Sequence, residues 1–301
     1  MPDHFAIPDA DAFDRMAHEL EATGNYRVLR RLKPWVNTEP PAGVEIRQAI
    51  LFDVETTGLD IANSEVIELA MVPFEYAADG RIFRVGEPLQ QFHEPREPIH
   101  PEITALTGIT DDMVAGHRLD VPAIETLVQS ASLMIAHNAA FDRPFAERIS
   151  NIFRSKPWAC SIAGIAWKDE GITSRRLIDL LASFGVFFDN HRAVDDCLAA
   201  ISLMTMMLPK SRLTVMDAML RNARAPTYKL IAEGAPFELK DVLKNRGYSW
   251  NAEIVRGPKA WWIEIAAEDL ERELDFLRRE IYQRPIDVPV TKLTAFERFS
   301  L

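Results

Sequence analysis

The sequence predicts an α/β protein: a mixed sheet flanked by helices, with a small α+β module behind it. Three observations predict it. An apolar run at 49–54 stops at a turn at Gly58 and reads as a buried strand. Segments at 65–76, 82–85 and 89–93 follow as a meander of strand-like residues, with Asp79-Gly80 as a hairpin signal. From 110 onward the apolar spacing turns helical, so the strands come early and the helices close around them.

Residues 1–45 read as an appendage. The spacing of Phe13, Met16 and Leu20, then Tyr26, Leu29 and Leu32, predicts helix over 10–32, split in two at Gly24-Asn25. Arg27, Arg30, Arg31 and Lys33 read as a solvated helix face, and Pro34, Pro40 and Pro41 as a linker. The main domain is expected over 46–209. Its helices are expected at 110–115, 121–131, 142–151, 174–184 and 195–208, with short strands at 132–136 and 158–160. Pro144 is tolerated in the first turn of a helix opened by Asp142. The third unit, 210–301, carries a helix at 239–246 ended by Gly247, strands at 248–251 and 260–265, and a charged amphipathic helix at 267–282.

Composition narrows the function classes. The 301 residues are 48% hydrophobic and 26% charged, which excludes disorder as the main state and excludes fibrous classes. No apolar stretch approaches the roughly 18 residues of a membrane span, so no membrane partner is expected. The start, Met1-Pro2-Asp3-His4, does not resemble a secretory signal. Cys160 and Cys197 suit a reducing compartment as small buried hydrophobes, and the expected location is the cytoplasm. The net charge of −11 argues at first against a nucleic-acid partner. The distribution says more. Residues 1–209 hold 18 Lys and Arg against 31 Asp and Glu, whereas 210–301 hold 16 against 14. Bound cations would neutralise part of that excess.

The acids fall in a pattern. Asp53 and Glu55, in Asp53-Val54-Glu55-Thr56-Thr57-Gly58, stand two apart at a strand end and project to one side. Two adjacent carboxylates repel unless a cation lies between them, and hard oxygen ligands favour Mg²⁺ or Mn²⁺. Asp142 ends the string His137-Asn138-Ala139-Ala140-Phe141-Asp142, where it reads alone as a helix N-cap. His191-Arg192-Ala193-Val194-Asp195-Asp196 leads into a helix. Each segment alone is ordinary. Together they supply four carboxylates and an imidazole at strand ends and helix starts, as two-metal phosphodiester hydrolysis requires.

The three segments resemble the exonuclease motifs of the DEDD superfamily in its His-containing branch, DEDDh. That branch includes the proofreading epsilon subunit of bacterial DNA polymerase III, ribonuclease T and oligoribonuclease. The resemblance covers 46–209 and implies a ribonuclease H-like fold and two divalent cations, Mg²⁺ or Mn²⁺. It implies that Asp53 bridges both cations, that Glu55 and Asp196 complete one site, and that Asp142 helps hold the second. His191 becomes the general base, and Asp196, five residues on, is selected over Asp195. Arg192 stands where the sister branch carries Tyr. The backbone around Thr56 and Thr57 is expected at the terminal 3′-hydroxyl, with Gly58 allowing close approach. Leu59 and Phe141 are expected against the last bases, and His137 and Asn138 are expected to position the second motif. Cys160-Ser161 departs from the family, which often has an acidic residue followed by Thr here.

In the third unit, Lys240, Lys244, Arg246 and Lys259 interleave with Tyr248, Trp250, Trp261 and Trp262. That pattern suits capture of a nucleic-acid strand, and also an aromatic core with basic residues outside it. The leading expectation is a metal-dependent 3′–5′ exonuclease releasing nucleoside 5′-monophosphates. Its expected partner is the 3′ end of single-stranded DNA, with a polymerase or repair protein as a further partner. The alternatives are an RNA-trimming exoribonuclease and a non-catalytic nucleic-acid-binding scaffold.

Overall fold

The computed structural model describes residues 10–189, 192–252 and 257–300. The chain opens with α1 (Ala10–Ala22) and the short strand β1 (Arg30–Arg31). The second helix expected after Gly24 is absent. Instead the Arg30 N–H donates to the Gly185 carbonyl at 2.8 Å and the Leu32 N–H to that of Phe187 at 2.8 Å. Leu32 and Trp35 pack against the main core, and that burial draws the segment out of helix. The basic cluster serves as tethers: Arg30 pairs with Asp14 and Glu21, Arg31 with Asp189. The Pro-rich segment also lies against the main body, with the Thr38 N–H donating to the Phe83 carbonyl at 2.9 Å.

β2 (Ile46–Thr56) and β3 (Val66–Ala77) pair antiparallel over their length, in a register that sets Glu55 opposite Glu68. β4 (Ile82–Val85) and β5 (Leu89–Phe92) both pair with β3. Three helices follow: α2 (Pro101–Thr107), α3 (Asp111–Val114) and α4 (Val121–Ser130). β6 (Leu133–Ala136) then joins β2 in parallel, α5 (Ala139–Ile149) follows, and β7 (Trp158–Cys160) joins β6 in parallel. Next come α6 (Leu177–Ser183), the short β8 (Val186–Phe187) that receives β1, α7 (Ala193–Thr205) and α8 (Val215–Arg224). The sheet is therefore mixed, in the order β4-β3-β2-β6-β7 with β5 beside β3.

Strand alternation sorts the side chains into two layers. Ala49 and Leu51 face a cluster that includes Leu180, Ala200, Leu203 and Met204 from α6 and α7. Ile50, Phe52 and Val54 face the opposite cluster, with Ile124 and Val128 from α4 and Phe145 from α5. There Phe52 meets Phe153 and Trp158 edge-on, at 5.4 and 5.7 Å between centroids. Full burial of each ring stabilises by about 1.5–3 kcal/mol. The same parity carries on to Asp53 and Glu55, which emerge on the α7 side. Val215, Met216, Met219 and Leu220 of α8 belong to the α7-side cluster, so this body continues past the boundary expected after 209.

The remainder is a second layered unit. β9 (Thr227–Ala232), α9 (Lys240–Asn245), β10 (Ser249–Trp250), β11 (Trp261–Ala266), α10 (Leu270–Phe276) and β12 (Val290–Leu293) follow in order. The sheet runs β10-β11-β9-β12, all antiparallel, and a π turn at Leu277–Ile281 extends α10. Leu230, Leu243, Tyr248, Leu274 and Leu277 form its core. The last residues return to the first body. The Trp158 N–H donates to the Ala295 carbonyl at 2.7 Å, which caps the β7 edge. Arg143 of α5 donates to the carbonyls of Phe296 and Arg298 at 2.6 and 2.7 Å. Among the described residues no helix is long and apolar enough to cross a membrane.

Candidate active site

β2 and β6 run parallel, so their carboxyl ends open at the same end of the sheet, where α/β proteins place ligands. Asp53 and Glu55 leave β2 there, on the α7 side. Asp196 lies in the first turn of α7, whose Cys197 thiol rests 3.7 Å from the Leu51 carbonyl and so seats the helix on β2. One carboxylate oxygen from each of Asp53, Glu55 and Asp196 lies within 4.8 Å of the others. Three acids on two elements are thus gathered at one point. The neighbouring Asp195 is exposed and turned to another face of α7, where it lines a cavity with Arg31 and Trp35.

Asp142 approaches from the other layer. α5 begins three residues earlier than expected, with Asn138 in the N-cap position, so Asp142 is not the cap. It sits in the first turn and is 3% exposed. Burial pushes its carboxyl up to about 8, against backbone hydrogen bonds at Val54 and Asn138 that favour the charged form. Asp53 is raised well above the usual range, first by burial, then by Asp142, Asp196, Glu55 and Glu68. Glu55 is pushed to about 7 by burial, Asp196 and Glu68, with Arg192 opposing. Carboxylates that resist ionisation in one another's company are what a multivalent cation relieves. The donor set is all oxygen, which fits a hard divalent cation. His191 lies outside the described residues.

The expected substrate-facing residues line the same end. Thr56 is buried and its hydroxyl donates to the Gly58 carbonyl at 2.6 Å. Thr57 exchanges two hydrogen bonds with Glu65, its N–H to the carbonyl at 2.8 Å and its hydroxyl accepting from the Glu65 N–H at 2.9 Å. Gly58 passes so close to Ser64 that an added Cβ would stand 2.9 Å from that hydroxyl. Arg148 of α5 donates to the carbonyls of Ile61 and Ser64, which ties this loop to the second motif. Leu59, at its tip, is 84% exposed. Phe141 is half-buried, 5.0 Å from the Phe145 ring, and Asn138 is exposed.

His137 is fully engaged. Its Nε2–H donates to the Arg175 carbonyl at 2.9 Å, so Nδ1 accepts from the Ser161 hydroxyl at 2.7 Å. Burial lowers its pKa to about 4, and the ring is neutral. Ser161, at the departure from the family pattern, therefore orients the second motif through His137. Two further residues were not singled out from the sequence. Glu68 is fully buried beside the three acids and bonds Arg192. Arg143, next to Asp142, is buried against Glu147 and the end of the chain. An acid within the apolar run 66–74 was the legible signal for the first. For the second, the i,i+4 spacing to Glu147 reads as an ordinary surface pair, and the carbonyls that complete its burial lie more than 150 residues away.

A family model described as exonuclease, of the RNase T type, matches residues 50–204. The PolC-type DNA polymerase III of Caldanaerobacter subterraneus subsp. tengcongensis is 29% identical over 192 residues, covering 59% of this chain and 13% of that protein. The PolC-type DNA polymerase III of Halalkalibacterium halodurans is 37% identical over 102 residues, covering 32% of this chain and 6% of that protein. The chain thus spans only a small part of these relatives. A solved structure of exonuclease I superposes with a TM-score of 0.50 at 17% identity, covering 83% of this chain and 63% of that one, a likeness of fold. The family model covers just over half of the chain and defines its class, an exonuclease domain. The chain belongs to the RNase T exonuclease family, of the DEDD type.

Proposed function

We propose that this chain removes nucleotides one at a time from the 3′ end of single-stranded DNA, releasing 5′-monophosphates. One observation carries the reading: Asp53 and Glu55 of β2 and Asp196 of α7, far apart in sequence, converge within 4.8 Å at the strand ends. The DNA polymerase relatives favour DNA over RNA.

Asp53, Glu55 and Asp196 would hold one divalent cation, and Asp53 with Asp142 a second, Mg²⁺ or Mn²⁺. When bound, such a pair supplies a water of lowered pKa and neutralises charge on the leaving oxygen. The chain does the rest. The backbone of Thr56 and Thr57 receives the terminal 3′-hydroxyl, held still by the paired bonds to Glu65. Leu59 wedges the last base and Phe141 stacks beneath it, contacts that tolerate any base. His191 takes the proton of the attacking water, since an imidazole's ordinary pKa lies near neutrality. His137 stays neutral and holds the second motif in place through Ser161.

The test is degradation of matched 5′-labelled single-stranded DNA and RNA with Mg²⁺, Mn²⁺ or EDTA, beside Asp53→Ala. A metal-dependent ladder on DNA, lost in the variant, is expected. A ladder confined to RNA moves the substrate assignment. Binding without shortening returns the scaffold alternative.

A further inference from the structure

Glu68 sits in a run of β3 that is otherwise apolar from 66 to 74, and its side chain is 0% exposed. Burying a carboxylate costs several kcal/mol unless donors surround it. Its cross-strand partner is Glu55, and like charges directly opposite are unfavourable. An apolar side chain would stand here at lower cost on both counts.

The donors show what the acid does. Arg192 Nη2 donates to Oε1 at 3.1 Å, the Ala193 N–H donates to Oε2 at 3.3 Å, and the Gln90 amide donates to Oε1. Arg192 and Ala193 are the N-cap and first residue of α7, and the N-cap makes no side-chain cap bond of its own. The Arg192 guanidinium also lies 5.8 Å from the Phe92 ring. Gln90 and Phe92 both come from β5, which pairs with β3 at Glu68. The Arg192 carbonyl in turn accepts from the Asp196 N–H at 3.0 Å.

We infer that Glu68 is a positioning residue of the cation site: it caps α7 from β3 and so sets Asp196 against Asp53 and Glu55. The inference rests on the exonuclease reading of that site. Both oxygens of Glu68 are occupied by protein donors, so it acts through the helix. Partners of this kind are worth about 10–100-fold in metal affinity.

The test uses the full chain, with Mn²⁺ binding followed by calorimetry or electron paramagnetic resonance, kinetics on single-stranded DNA, and thermal melting without metal. Glu68→Gln keeps an acceptor for the Ala193 N–H and loses the charge that holds Arg192. It is expected to melt close to wild type, to bind Mn²⁺ about tenfold more weakly, and to lower kcat with KM for the strand nearly unchanged. Arg192→Gln is expected to shift Mn²⁺ binding the same way. A Glu68→Gln variant with wild-type Mn²⁺ affinity overturns the inference. So does tighter binding in Arg192→Gln, which would make Glu68 a ligand that the arginine holds back. A wild-type protein that neither binds Mn²⁺ nor cuts DNA sinks the exonuclease reading instead.

Discussion

Replacing Arg143 should unsettle the protein more than any exposed charge. Its side chain is 1% exposed and that of its partner Glu147 is 2% exposed, with Nε donating to Oε1 at 2.6 Å. The guanidinium also satisfies the carbonyls of Phe296 and Arg298. Among the described residues, Arg143→Met leaves the buried carboxylate with Ser300 and the distant edge of Arg154, at 3.7 Å. Breaking a buried pair this way costs about 3–5 kcal/mol. At the usual unfolding entropy per residue, 4 kcal/mol in a chain of this length lowers the melting temperature by about 6 °C. Arg143→Met/Glu147→Leu removes both charges and should recover part of the loss, since apolar replacement of a whole buried pair is nearly neutral. Arg154→Ala, an exposed partner, should fall within about 1 kcal/mol. Differential scanning calorimetry decides. A single variant that melts with wild type, or a double variant worse than the single, refutes the reasoning.

Other predictions follow from the same geometry. Glu55 and Asp142 titrate near 7 and 8, above their ordinary values, so the folded metal-free chain binds their protons more tightly than the unfolded one. Their contribution to stability is present below the usual carboxylate range and lost as pH rises through 7–8, about 3 kcal/mol for Glu55 alone. Melting in EDTA should therefore fall from pH 6 to 8.5, with Mg²⁺ or Mn²⁺ restoring it; a flat profile contradicts the raised values. Leu59→Ala should leave melting unchanged, because the side chain is 84% exposed, while raising KM for a single strand several-fold in a steady-state assay. In the C-terminal unit, Lys229 Nζ lies 4.9 Å from the Trp262 ring, and Trp250 is 50% exposed. Trp250→Ala should weaken single-strand binding in a filter or anisotropy assay by about 1–3 kcal/mol if that module captures substrate; unchanged binding removes it from that role.

Much of the fold and of the site is legible in the sequence. Strand parity alone set Asp53 and Glu55 on one side, and the apolar runs of 49–54 and 65–76 named the two central strands. The motif spacing separated Asp196 from Asp195, and the geometry gathers the former with Asp53 and Glu55. What stayed hidden depends on distant partners. The 26–32 segment has helical spacing, yet its backbone completes hydrogen bonds with β8 and its Leu32 packs against the main core. α8 looks like part of the tail, but its Met216 and Met219 belong to the first body. In the C-terminal unit, several aromatics and cations that suggested nucleic acid are committed internally. Tyr248 lies in the core, its hydroxyl bonded to Glu273 at 3.0 Å, and Arg246 binds the same carboxylate at 2.7 Å. β9, the strand that organises that sheet, is flanked by Pro226 and Gly234 and carries too weak an alternation to be read.

The central claim is that acids from three segments make one catalytic site that works from a 3′ end. Its most direct test follows, by mass spectrometry, the first products released from single-stranded DNA of defined sequence, comparing wild type with Asp196→Asn and Asp195→Asn. The account predicts that the 3′-terminal nucleotide leaves first, as a 5′-monophosphate, and that Asp196→Asn abolishes release while Asp195→Asn retains it. First products from the 5′ end, internal fragments, or an active Asp196→Asn would contradict it.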